Sequence, residues 1–341
     1  MKIIIPMAGL GTRLRPHTWS KPKPLVSVAG QPVLGHVLQM FESLVTIDEV
    51  VFIIGYLGDQ IKSYMDERYP GIKTSYVVQE EMKGQSHALW LAREHLQGPA
   101  YLAFVDTIIE ADLSLGDIGP DQAIAWVKEV DDPRRFGVAD VDETGRVLRL
   151  IEKPEDPSIN LALAGFYYFP QAGELVSAFE KQFSGGGLLG GEYYLADAIN
   201  LMLEAGLEMR IRPVAVWMDC GKPDALLETN RYLLEHGSDN SSEAEVHQGM
   251  LVPPVFVHPT ARIRDSRIGP HASIGADSVI SNSEIRDSVV EREAVIEDCM
   301  LHASLVGVAA RIHGVHGSLN IGDHSEVDAG PARETKNDHA Q

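Results

Sequence analysis

The residues Met7-Ala8-Gly9-Leu10-Gly11-Thr12-Arg13-Leu14-Arg15-Pro16, followed by Lys21-Pro22-Lys23-Pro24-Leu25, govern how the rest of this chain is read. They come directly after Ile3-Ile4-Ile5, a β-branched run that predicts a buried strand emptying into a glycine-bearing turn. Gly9 and Gly11 let the backbone bend tightly and approach a ligand closely. Arg13 and Lys23 add two fixed positive charges. Backbone N–H groups and cations at the carboxyl end of a strand suit a polyphosphate.

Two common glycine motifs do not fit. A dinucleotide fingerprint needs a third glycine where Leu14 stands, and a P-loop needs Gly-Lys-Ser/Thr where the chain has Gly11-Thr12-Arg13. The remaining pattern, G-x-G-T-R-x-x-P with a downstream P-K-x-L, resembles the sugar-phosphate nucleotidyltransferases, which make sugar nucleotides from a nucleoside triphosphate and a sugar 1-phosphate. The resemblance implies an α/β catalytic domain with a Rossmann-like, mostly parallel sheet of the nucleotidyltransferase and GT-A-like kind. It also implies nucleotide contacts from Ala8, Gly9, Gly11 and Thr12, and catalytic roles for Arg13 and Lys23.

Composition narrows the field independently. A length of 341 residues suggests two domains or one large one, and 44% hydrophobic residues mark a globular chain. A net charge of −20 argues against nucleic acid or an anionic membrane as the main partner. An acidic protein that binds a triphosphate needs local cations and a divalent metal. No apolar stretch is long enough to span a bilayer, and the start is too short for a signal peptide. The two cysteines, Cys220 and Cys299, have no metal spacing, so a reduced, cytoplasmic protein is expected.

From residue 1 to about 235, strand-like runs alternate with amphipathic helical patterns. Helices are expected at Val33 to Leu44, Gln60 to Tyr69 and Gln85 to Leu96, with strands at Val50 to Ile54, Tyr76 to Val78 and Tyr101 to Val105. Such alternation implies a mostly parallel sheet covered on both faces, with ligands beyond the strands' carboxyl ends. Asp106 follows one strand, and Asp219 follows the run Val214 to Met218. If both strands share a sheet, the two carboxylates can face one cleft and hold Mg²⁺ against substrate phosphates; alone, each could equally cap a helix or turn. The resembled family carries a metal-binding aspartate at both places. One departure stands out: Asp106 sits in Val105-Asp106-Thr107 rather than the usual Gly-Asp-Asn.

Further motifs extend the resemblance. The stretch Gln79-Glu80-Glu81-Met82-Lys83-Gly84 looks most like thymidylyl- and uridylyl-transferring members, which implies base recognition by Gln79 and Gly84. A glutamine amide can donate and accept at once, matching a thymine or uracil edge. A hairpin is expected from Phe136-Gly137 through the turn Asp142-Glu143-Thr144-Gly145 to Ile151. It runs into Glu152-Lys153-Pro154, which in the family forms the sugar-phosphate site: a carboxylate for hydroxyls and an ammonium for the 1-phosphate. The resemblance also assigns Gly137, Gly165 and Glu192 to the sugar pocket.

Residues 236–249 are polar and aperiodic, and read as a linker after a catalytic domain at 1–235. Then aliphatic residues recur every five or six positions (Val257, Ile263, Ile268, Ile274, Ile280, Ile285, Val290, Ile296, Leu301, Val306, Ile312). That hexapeptide repeat predicts a left-handed parallel β-helix over 250–328, of roughly three to four coils, before a polar tail at 329–341. The helix is expected to serve as an oligomerisation or regulatory module, so a homo-oligomer is expected.

The expected reaction is nucleotidyl transfer, with dTTP and glucose 1-phosphate favoured and UTP next. Two rivals stand beside it. Because the same repeat builds acyltransferases, the chain could also acetylate an amino sugar, with His302, His313, His316 and His324 as candidate bases. Alternatively it could be a silent sugar-nucleotide-binding regulatory subunit, which would be expected to lose the charges of Arg13, Lys23, Asp106, Lys153 and Asp219 that are present here.

Overall fold

The computed structural model describes residues 1–42, 46–116, 118–186 and 190–330. In chain order its first elements are β1 (Lys2–Pro6), β2 (Ser27–Val28), β3 (Gln31–Pro32), α1 (Val33–Glu42), β4 (Glu49–Ile54), α2 (Gly58–Arg68), β5 (Thr74–Val78) and α3 (Gln85–Leu91). There follow β6 (Ala100–Ala103), β7 (Thr107–Glu110), β8 (Gln122–Glu129), β9 (Gly137–Val141), β10 (Val147–Glu152) and β11 (Leu161–Phe169). Then come α4 (Glu174–Ser184), α5 (Leu195–Glu204), β12 (Glu208–Pro213), β13 (Val216–Asp219) and α6 (Pro223–Leu233). The chain forms two units: Met1–Leu10 with Pro22–Leu25 and Val33–Asp219, and Gly11–Lys21 with Val26–Pro32 and everything from Cys220 on.

The first unit is built on a nine-stranded sheet with the path β10-β9-β11-β6-β1-β4-β5, to which β8 and β12 add through β11. Parallel pairs surround β1, which lies between β4 and β6. The pairs of β11 with β6, β8 and β9 are antiparallel, so the sheet is mixed. Side-chain alternation explains the run Ile3-Ile4-Ile5. Ile3 and Ile5 enter the core shared with α1 and α2, while Ile4 enters the core shared with α3, α4 and α5. Both faces of β1 are therefore dry, and all three isoleucines are at most 1% exposed.

The helix expected from Val33 runs to Glu42, and the last two positions of that expectation, 43–44, lie outside the described residues. Another expected helix ends early. The helix expected to reach Leu96 stops at Leu91, and the chain continues in three-residue turns, with Ala92 N donating to Leu89 O and Leu96 N to Arg93 O. Ala92 and Leu96 nevertheless remain buried, which is why the apolar period ran past the helix.

In the second unit, residues 250–328 form three five-stranded parallel sheets, the left-handed β-helix expected from the repeat. It has more coils than the expected three to four. Partners stand 17 residues apart at the start (Val255 with Ala272), 16 in the middle (Val279 with Val295) and 15 at the end (Arg311 with Glu326). The corners explain the polar residues between the aliphatics. Asp265, Asn282 and Asp298 stack in the left-handed region, and so do Asp277, Glu293, Ala309 and His324. Short polar side chains tolerate that backbone better than branched ones do.

Buried serines satisfy the corner amides. Ser266 Oγ accepts from Ser283 N at 3.1 Å, and Ser283 Oγ accepts from Cys299 N at 3.0 Å. A second ladder runs from Ser288 through Ser304 to Leu319 N. The polar stretch before the β-helix is engaged as well: Asp239 accepts from Val255 N, and Asn240 exchanges two hydrogen bonds with Val257. The expected polar tail lies outside the described residues from 331 onward.

Candidate active site

Lys23 begins a short 3-10 turn (Lys23–Leu25), and its Nζ lies 3.2 Å from Asp106 Oδ2. Asp106 does not directly follow the strand as expected. β6 ends at Ala103, and Asp106 occupies the turn into β7. Nor do Asp106 and Asp219 end two strands of one sheet. β13 pairs antiparallel with β7 in a separate two-stranded ribbon, in which Asp219 stands opposite Thr107. The backbones of the two aspartates are thus brought near one another by a ribbon rather than by parallel strands. Thr107 Oγ1 donates to Ala164 O at 3.2 Å, tying the ribbon to the segment that carries Gly165.

The base and sugar candidates also gather in the first unit. Gln79 is buried, and its Nε2 donates to Gly84 O at 3.3 Å. Gly84 has φ +92°, and a Cβ there would come within 2.6 Å of the Tyr193 backbone and 3.1 Å of Glu192. The fold therefore demands a glycine at 84 for packing, quite apart from any ligand. Gly137 pairs with Glu152 across the β9–β10 hairpin, and a Cβ on it would meet Glu152 Oε2 at 3.0 Å. Gly165, at φ +82°, accepts from Phe104 N at 2.9 Å. A Cβ at Gly9 would meet no atom within 4 Å, so packing alone does not require that glycine.

Lys153 holds the left-handed backbone at φ +48°, a conformation that costs a lysine energy and recurs at functional sites. Its amide donates to Phe136 O, and its Nζ lies 3.0 Å from the Tyr194 hydroxyl, a partner that nothing in the residue pattern announced. That hydrogen bond holds the ammonium pKa above the usual lysine value. Burial pushes Glu152 above the usual glutamate value against the pull of Lys153, and the nearby charges of Asp197 and Glu192 push the same way. Burial likewise raises Asp197. The neighbourhood thus joins one ammonium to three acidic groups, a set that suits hydroxyls around an anion. Phe136 packs on Trp217 of the ribbon with ring centroids 4.9 Å apart. Gly55 was also missed: a Cβ there would come within 2.7 Å of Ala8 O, so its smallness admits the turn after β1.

Gly11, Thr12 and Arg13 belong to the second unit. Gly11 adopts the left-handed conformation (φ +59°) and starts the 3-10 turn Thr12–Leu14. Leu14 N returns to Gly11 O, and Thr18 Oγ1 donates to the same carbonyl at 2.8 Å. Leu14 is buried while Thr12 and Arg13 are exposed, so the loop grips from one side and presents its cation on the other.

Comparison with known proteins adds to this geometry. The nucleotidyl transferase family profile matches residues 2–236. The chain belongs to that family. It is 31% identical to a glucose-1-phosphate thymidylyltransferase of Streptomyces griseus, over 96% of this chain and 99% of that one. The protein is thus placed among the sugar-1-phosphate nucleotidyltransferases. A bifunctional protein GlmU of Methanocaldococcus jannaschii is 35% identical, over 69% of this chain and 55% of its own. A UDP-glucose pyrophosphorylase solved with UDP-glucose shares the fold, with a TM-score of 0.59 at 20% identity over 69% of this chain and 98% of that one.

Among the described residues no helix is long and apolar enough to cross a membrane, and no group of three or more metal-ligating side chains gathers. Of the β-helix histidines, His313 lies 3.0 Å from Asp328 and 3.3 Å from Asp298. The hydrogen bond that His313 donates to Asp328 heads the interactions that raise its pKa, which favours an ion pair over a free base.

Proposed function

We propose that this enzyme transfers a nucleoside monophosphate, thymidylate first and uridylate next, to a sugar 1-phosphate, glucose 1-phosphate first. A phosphate oxygen of the sugar 1-phosphate attacks the α-phosphorus in line. The bond from that phosphorus to the bridging oxygen breaks, and pyrophosphate leaves with the electron pair. No covalent enzyme intermediate is needed, so catalysis rests on positioning and charge stabilisation.

The observation that carries this reading is the grouping of Lys23 with Asp106, and of Asp106 with Asp219 through the β7–β13 ribbon. One or two carboxylates with phosphates completing the shell are what Mg²⁺ ordinarily takes, and Asp106 and Asp219, on neighbouring backbone positions of the ribbon, supply that donor chemistry. When bound, the ion offsets phosphate charge. Lys23 neutralises charge where the phosphates meet, and Arg13 steadies the departing pyrophosphate. Backbone N–H groups around Ala8, Gly9, Gly11 and Thr12 receive phosphate oxygens. Gln79 and Gly84 face the base. Lys153 holds the nucleophile's phosphate, and Glu152 and Glu192 accept from sugar hydroxyls, with Gly137 and Gly165 keeping the pocket open. The full-length likeness to a thymidylyltransferase favours dTTP and glucose 1-phosphate.

The test is pyrophosphate release with Mg²⁺, crossing five nucleoside triphosphates against a panel of sugar 1-phosphates, with a chelator control. Fastest release with dTTP and glucose 1-phosphate, abolished by chelation, is the expected result. Another fastest pair would keep the mechanism and correct the specificity. Silence with every pair would overturn the reading.

A further inference from the structure

We propose that two carboxylates of the β-helix, Glu291 and Asp323, are positioning residues for nucleotidyl transfer, because they hold the loop that carries Arg13. The proposal rests on the role given to that loop above.

The contacts are buried and convergent. Lys21 closes the loop and is 7% exposed. Its Nζ lies 3.0 Å from Glu291 Oε1 and 3.6 Å from Asp323 Oδ1. Ser20 Oγ donates to Asp323 Oδ2 at 2.6 Å, and His17 Nε2 lies 2.7 Å from Asn320 Oδ1. Glu291 also accepts from the amide and hydroxyl of Ser27, at 3.2 and 3.1 Å. One carboxylate therefore holds chain on both sides of Lys23 in sequence, at Lys21 and at Ser27. Asp323 accepts as well from Val308 N, which fixes it to the neighbouring coil. A Cβ on Gly322 would come within 3.0 Å of Pro16, so the β-helix turn meets the loop closely.

This arrangement goes beyond what stability asks. Apolar side chains could close the same contact without desolvating an ammonium and two carboxylates. A buried ion cluster with directional hydrogen bonds imposes one register on the loop, which bulk packing does not. The buried side of the loop (Leu14, His17, Thr18, Lys21) is gripped, and Arg13 stands on the exposed side. Catalysis by fixed charge depends on such placement, since a shift of about 1 Å can cost roughly a hundredfold in rate.

The experiment uses the full chain and its own reaction. Glu291→Gln and Asp323→Asn are each expected to lower kcat about tenfold or more, by partial loss of that placement. KM for the sugar 1-phosphate should stay within about twofold, since the sugar candidates lie on other segments. In an Arg13→Ala background neither change should lower kcat further, because each acts through Arg13. Amide hydrogen exchange over residues 11–21 should speed up in both variants. Unchanged turnover would overturn the proposal, and so would an equal loss with and without Arg13, which a merely structural role predicts. If both variants fail to fold, Ser20→Ala takes away the Oγ hydrogen bond to Asp323 and must still accelerate exchange in the loop; unaltered exchange would sink the idea. An inactive parent enzyme would instead defeat the proposed reaction, and the exchange measurement would still show whether these carboxylates hold the loop.

Discussion

The nine-stranded sheet mixes parallel and antiparallel pairs, the β-helix is parallel throughout, and the two place side chains by opposite means. In the β-helix each strand pairs with a strand 15 to 17 residues away, so every coil repeats the last. In the sheet, β1 pairs with β4 and with the much later β6, and the ribbon joins Thr107 to Asp219. A periodic unit repeats one environment and builds a scaffold. A unit with distant pairings can bring unlike groups to one place, and there the acidic ribbon and the Lys153 neighbourhood arise. The contrast predicts where activity and stability separate.

The largest effect is expected in the ribbon. Asp219→Asn should lower turnover by about 10²–10³-fold, as loss of a principal charge stabiliser does, with thermal unfolding little changed. A folded variant with near-normal pyrophosphate release would remove Asp219 from the metal assignment. Next comes Lys153→Met, which should raise KM for the sugar 1-phosphate by about ten- to a hundredfold while KM for the triphosphate holds, because a charge-assisted contact to one substrate is lost. A uniform fall in both would dissolve the division between sugar and nucleotide sides.

The β-helix should respond the other way. Ser283→Ala leaves Cys299 N without its acceptor inside the coil and should cost about 1–3 kcal/mol in chemical denaturation, with kcat at 25 °C unchanged. Lost turnover at full folding would contradict the separation; Glu291 and Asp323 are the exceptions that the loop contacts single out.

The smallest expected effect is a pH dependence at Glu152. Its folded pKa is raised, so the native state keeps the proton more firmly than the unfolded chain does. Stability is therefore lost as pH rises from the usual glutamate value through the raised one. Glu152→Gln removes that loss, so its melting temperature relative to the parent should climb between pH 4 and pH 7. A difference independent of pH would mean that burial does not hold the proton there.

Much of this was legible in the residues. Ile3-Ile4-Ile5 announced a strand buried on both faces, and the aliphatic period announced the β-helix, because both depend on local alternation and repeat. The Phe136 to Ile151 hairpin was readable from its turn. The end of α3 was not, since Ala92 and Leu96 stay buried on three-residue turns and keep the helical period alive. The placement of Asp106 and Asp219 was misjudged, because an antiparallel ribbon between distant segments leaves no period to read.

By itself, then, the sequence determined the chemistry on offer: glycines and cations after the first strand, two aspartates beside apolar runs, a Glu-Lys pair after a hairpin, and a repeat that must coil. These follow from residue type and short-range spacing, which act before any long-range contact forms. The tertiary structure alone decided which groups meet. It set Asp219 opposite Thr107, brought Tyr194 to Lys153, and used Glu291 and Asp323 to grip Lys21. Those meetings depend on closing loops of tens to hundreds of residues, and their geometry is fixed only when the whole unit packs.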